Sequence, residues 1–259
     1  MTFDDFMGYL KALAEYNKTN NTNFIGVFEV GGFSLLDIIP MQLYYSEIGD
    51  FDELMKLKLD AKKWLAFEKT IFALEKLVQF KPLPNESFEY SKDFAFPLKG
   101  TCLFYPQATW MYGVWEGVDN IAVKDLIPVQ LPEFKPSKTY LGEYRVPWAI
   151  PKNAANIDAA VRLMKYIASK QTADQWIRYA KSPTGIKNSM VSTSMSQDPY
   201  ENFDYMINKK FGASKLIFTS KTSGFLGKEN SNIKLDFAKL IKGKISANEF
   251  LNTVKKQLK

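Results

Sequence analysis

Gly100-Thr-Cys-Leu-Phe-Tyr-Pro-Gln-Ala-Thr-Trp110-Met-Tyr-Gly-Val-Trp115 is an apolar, β-prone run that breaks at Pro106 into a loop carrying Gln107 and Trp110. A strand that ends this way delivers an aromatic ring and an amide to a cleft. Sugars are the ligands that want this pair. A pyranose has apolar C–H faces that lie on an aromatic ring, and a rim of hydroxyls that needs donors and acceptors in its plane. A second informative run follows, Gly142-Glu-Tyr-Arg-Val-Pro-Trp-Ala-Ile-Pro-Lys152, extended and largely apolar from Tyr140 to Ile150. Pro147 inside it removes a ladder donor, which suits an edge or a crossover better than a central strand.

Working outward, the run lies among segments that read as helices and strands. Phe3, Phe6, Met7, Leu10, Leu13 and Ala14 share one face of a helix over residues 1–16, with Thr2 placed to cap it and Asp5 three positions on. The polar run Asn17 to Asn23 reads as a turn. Phe24 to Val30 reads as a buried strand ending at Gly31-Gly32, with a helix from about Ser34. The glycine pair is either a tight turn needing positive φ or a place where freed N–H groups meet a ligand. Trp64, Phe67, Ile71, Leu74 and Val78 form a helical stripe made for a core. Pro82 to Pro97 reads as an irregular connection, Thr101 to Tyr105 as a strand followed by a loop to Trp115, and Ile121 to Val123 as a short strand before a proline-spaced segment, Pro128 to Pro136. Two helices follow, Asn156 to Ser169 and Thr172 to Lys181, with apolar faces Ile157, Ala160, Val161, Met164, Ile167 and Trp176, Ile177, Ala180. A helix near Ile233 to Leu240 precedes a last helix from Ser246, where Ser246 and Glu249 form a capping box ahead of Phe250, Leu251, Val254 and Leu258.

Composition narrows the chemistry. The 259 residues are 46% hydrophobic, enough for a substantial core in one or two domains. Histidine is absent, which removes Ser-His-Asp and Cys-His nucleophile systems and the usual zinc ligand sets. The single cysteine, Cys102, lies in an apolar strand and reads as a small core hydrophobe. The net charge of +6 comes from lysines interspersed with acids, and arginine occurs only at 145, 162 and 178. A nucleic-acid face would cluster its cations among aromatics, so no nucleic-acid partner is expected. The amphipathic start has neither the charged segment nor the apolar segment of an export signal, and no run is long enough to span a membrane.

Four segments together resemble the family 1 extracellular solute-binding proteins of ABC importers, the class that includes maltodextrin-binding protein. Thr2-Phe-Asp-Asp-Phe6 is similar to the start of the first helix in the family's C-terminal lobe. Gly100 to Trp110 is similar to its glycine-to-tryptophan strand and loop at the ligand site, with the same ten-residue interval. Trp148-Ala-Ile-Pro-Lys-Asn-Ala-Ala-Asn-Ile-Asp-Ala-Ala160 resembles its hinge strand and following helix, and Lys242-Gly-Lys-Ile-Ser-Ala-Asn-Glu-Phe-Leu251 its closing helix. No one motif is specific; their order and spacing are. The resemblance covers nearly the whole chain.

It implies an α/β fold of the type II periplasmic-binding-protein kind, present as the C-terminal lobe plus the helical part of the N-terminal lobe. Residues 1–146 would be the first part of the C-terminal lobe with ligand-facing loops, 147–200 the hinge strand and N-lobe helices, and 201–259 the closing C-lobe helices. The rest of the N-terminal lobe, including the sheet those helices would cover, is expected upstream of Met1. The implied role is substrate binding for an ABC importer, with a sugar or oligosaccharide held in an inter-lobe cleft and presented to permease subunits. No cofactor and no catalysis are implied. Family members are exported and often lipid-anchored, so an extracytoplasmic lipoprotein is the expected full-length form.

Trp110 is then the stacking platform, with core packing as its alternative, and Gln107 bonds hydroxyls. Tyr105, Phe33 and Tyr144 stack or cap. Arg145 offers a planar fork to hydroxyls or a carboxylate, or else an inter-lobe salt bridge. Glu29 and Asp37 are available acceptors, while Trp115 and Trp148 read as structural. Two other readings stay open. A glycoside hydrolase needs two carboxylates flanking the bond, and the acidic clusters Asp4-Asp5 and Asp50, Asp52, Glu53 read as a helix start and a loop. A same-fold receptor for a non-sugar ligand is the other, since fold does not fix ligand.

Overall fold

The structure is a computed structural model that describes residues 1–28, 34–49, 60–80, 100–107, 111–117, 126–137, 139–142, 148–180, 201, 205, 215–218, 225–226 and 231–257. The chain divides into two compact units. One comprises Met1–Gln107, Val129–Glu143 and Ser214–Lys259, and the other Ala108–Pro128 and Tyr144–Ala213. The sequence boundaries at 146 and 200 differ from this division in that 108–128 group with the segment from 144, and that segment runs on to 213.

In the first unit, α1 runs Phe3–Asn20 and buries Phe3, Phe6, Met7 and Leu10. Thr2 caps it: its Oγ1 accepts from the Asp5 N–H at 3.1 Å, and the Asp5 carboxylate accepts from the Thr2 N–H at 3.1 Å. The helix continues four residues past the expected stop, so residues 17–20 of the run expected to be a turn form the last turn of α1, and only 21–23 lie beyond it. Asn21 closes it with φ 51°, and the Asn17 amide donates to the Phe24 carbonyl at 2.9 Å while accepting from the Phe24 N–H at 3.0 Å. Side chains read as loop formers here serve the C-terminal cap.

That turn feeds β1 (Ile25–Val27), which pairs in parallel with β2 (Cys102–Phe104), register Ile25 to Cys102 and Val27 to Phe104. Both strands are shorter than the sequence runs that predict them. Gly26 has a packing reason, because a Cβ there would lie 2.6 Å from Leu10 Cδ2 of α1. Ser34–Ile38 forms a π-helical turn before α2 (Ile39–Ile48). Pro40, at the start of α2, lacks the N–H that an α-helical turn would give to the Leu36 carbonyl.

The core of this unit is helical and aromatic. α3 (Ala61–Val78) buries Phe67, Ile71 and Leu74, as its stripe predicts. Phe67 and Phe237 flank Phe225 at 5.9 and 5.6 Å between ring centroids, and Phe250 lies 5.4 Å from Phe237. Phe237 belongs to α7 (Ser231–Ile241) and Phe250 to α8 (Ala247–Gln257). The predicted capping box on α8 is present, with Ser246 N and Oγ donating to Glu249 at 2.7 and 2.8 Å and the Glu249 N–H returning to Ser246 Oγ at 3.2 Å. Leu258, expected on its apolar face, lies outside the described residues.

A second parallel pair joins β3 (Thr139–Gly142) to β4 (Lys215–Phe218). The expected strand from Tyr140 to Ile150 is therefore not continuous: Trp148–Ile150 are not in a strand, consistent with flanking prolines that cannot donate to a ladder.

The second unit contains α4 (Met111–Gly117), α5 (Ile157–Ile167) and α6 (Lys170–Ala180). The loop expected up to Trp115 thus turns helical at Met111, and Met111, Tyr112 and Trp115 are buried. Asn156 caps α5 by accepting from the Ala159 N–H at 2.9 Å. No residue of α5 is buried, although its apolar side chains share one face, and Ile157 is 51% exposed. In α6 only Ala173 and Ile177 are buried, and Trp176 is 48% exposed. The sequence segments 82–97 and 121–123 lie outside the described residues. Among the described residues no helix is long and apolar enough to cross a membrane.

Candidate functional site

Parallel pairing sends β1 and β2 out of the sheet at the same end, the carboxyl end, where open α/β sheets bind ligands. The pairing extends one step past the strands, through a 2.9 Å bond from the Phe28 N–H to the Phe104 carbonyl. Immediately beyond it, the Tyr105 ring stacks on Phe28, with centroids 5.4 Å apart and planes 27° from parallel. Phe28 is 1% exposed and Tyr105 half-buried, so a fixed ring backs a partly open one. Pro106 is buried and ends the ladder, and Gln107 follows with part of its surface in solvent. An amphipathic ring and an amide carried at one strand end can bind an apolar face rimmed with hydroxyls.

Of the sequence candidates, Tyr105 and Gln107 are thus brought to one strand end. Phe33, Trp110, Tyr144 and Arg145 lie outside the described residues, as does Glu29. Asp37 sits on the π-helical turn, where its carboxylate accepts from the Phe225 N–H at 2.9 Å. That bond ties two parts of the core, so one oxygen of the Asp37 carboxylate already serves the fold. Burial pushes its carboxyl above the ordinary 3.8, against the smaller lowering effects of the Phe225 N–H and Lys234. Trp115 is buried, as expected of a structural residue, whereas Trp148 is 61% exposed.

Cys102 lies on β2, half-buried, with its Sγ–H donating to the Phe104 carbonyl at 3.0 Å. Burial pushes the thiol up to about 12, against smaller lowering effects of the Phe28 and Phe104 backbone. A thiol held protonated in this way packs and does not react.

Sequence reasoning missed two residues. Phe28 was read only as part of a strand, and parity is the one signal that could place it beside Tyr105. Glu133 was read only as part of a proline-spaced segment. Its side chain, 3% exposed, accepts from Gln42 Nε2 at 2.6 Å, from the Ser137 N–H at 3.2 Å and from Ser137 Oγ. Its backbone bridges Thr2 and its N–H donates to the Met1 carbonyl. Glu133 therefore joins the chain start, α2 and the 126–137 segment.

No protein-family model and no curated protein sequence matches the chain. Solved structures do. A chitin oligosaccharide binding protein superposes with a TM-score of 0.73 at 13% identity, over 99% of this chain and 64% of that one. The fold is that of the solute-binding proteins. A structure from work on xylan utilisation by the thermophilic bacterium Caldanaerobius polysaccharolyticus gives 0.69 at 16% identity, over 100% of this chain and 66% of the other. A Streptococcus pneumoniae solute-binding protein in complex with the blood group A-trisaccharide gives 0.60 at 14%, over 99% and 63%. This chain therefore spans less than two thirds of the length of each of these solute-binding-fold structures. Identities this low establish the fold, α/β of the periplasmic-binding-protein kind, and leave the ligand to be argued from the site.

Proposed function

We propose that this chain carries a large part of a sugar- or oligosaccharide-binding protein that supplies an ABC importer. The observation that carries the reading is the superposition, over nearly the whole chain, on proteins described by the saccharides they bind. The paired strand ends support it, since Tyr105 stacked on Phe28, with Gln107 two residues further along the chain, offers the ring and the amide a pyranose requires. Trp110, Phe33, Tyr144 and Arg145 complete the proposed ligand set. The reaction is binding alone: a ligand that prefers one conformation shifts the population toward the form a permease recognises. Extracytoplasmic location with a lipid anchor belongs to the same proposal. So does an upstream remainder of the N-terminal lobe, whose sheet would cover the apolar faces of α5 and α6.

A panel of cellulo-, chito-, xylo- and malto-oligosaccharides tests this reading by thermal shift, with the sugars analysed afterwards by chromatography. The reading expects at least one sugar to raise the melting temperature and to be recovered intact. A sugar recovered shortened establishes the hydrolase reading instead.

A further inference from the structure

We draw no further inference here: the strongest candidate, the apolar face of α5 formed by Ile157, Ala160, Val161, Met164 and Ile167, is a helix face without a buried residue, and nothing in the structure shows what covers it.

Discussion

Replacing Glu133 with leucine should destabilise the first unit by about 2–4 kcal/mol, because it removes an acceptor and leaves the donors in place. Gln42 is 1% exposed, and its Nε2 would lose a 2.6 Å bond in a site closed to water. An orphaned buried donor costs about 1–3 kcal/mol. The Ser137 N–H and hydroxyl also lose a partner, but they are half-buried and can turn partly to solvent, so about 1 kcal/mol covers both. Removing a whole buried polar cluster in favour of apolar groups is often tolerated; removing one member is not. Glu133→Gln keeps an acceptor for Gln42 and should cost about 1 kcal/mol. Urea unfolding followed by tryptophan fluorescence measures both. A Glu133→Leu loss below about 1 kcal/mol would refute the network reading.

Two further predictions concern titration and reactivity. Asp37 has a folded-state value raised above 3.8, so the stability its protonated form contributes is present below that value and is lost as pH rises through the folded one. Asp37→Asn, which can still accept from the Phe225 N–H, should flatten stability against pH above about 4 and be no less stable at pH 7; an unchanged slope contradicts this. For Cys102, the rise from 9.0 to about 12 leaves about a thousandfold less thiolate, so iodoacetamide should label the native protein far more slowly than the urea-unfolded one, and equal rates would contradict it.

Local chemistry was legible where it was periodic or paired. The α3 stripe and the two capping boxes appear in the structure with the residues named for them, because spacing along a helix decides who can touch whom. The strand-breaking role of Pro106 was legible for the same reason: a missing donor is a property of one residue. Long-range contacts left no such mark. Nothing in Glu133 announces a partner 91 positions away, and nothing in Asp37 announces Phe225, 188 positions on. The extra length of α1 was missed because Asn17 and its neighbours favour turns, and their side chains were bonding the helix end. At the site, the Gly100–Trp110 run predicted the strand, its break and the positions of Tyr105 and Gln107, while the ring that supports Tyr105 came from a strand read on its own merits.

Whether the end of β2 presents a sugar-binding surface is decided by saturation-transfer NMR on the 259-residue chain, which detects millimolar complexes with oligosaccharides present in excess. The native chain should saturate sugar ring protons. Tyr105→Ala should weaken that complex by about 1–3 kcal/mol, about fivefold or more in dissociation constant, and lower the signal accordingly, and Gln107→Ala should reduce it less, while both variants keep the native circular dichroism. No saturation from any sugar of the panel, or saturation unchanged in a folded Tyr105→Ala variant, would contradict it.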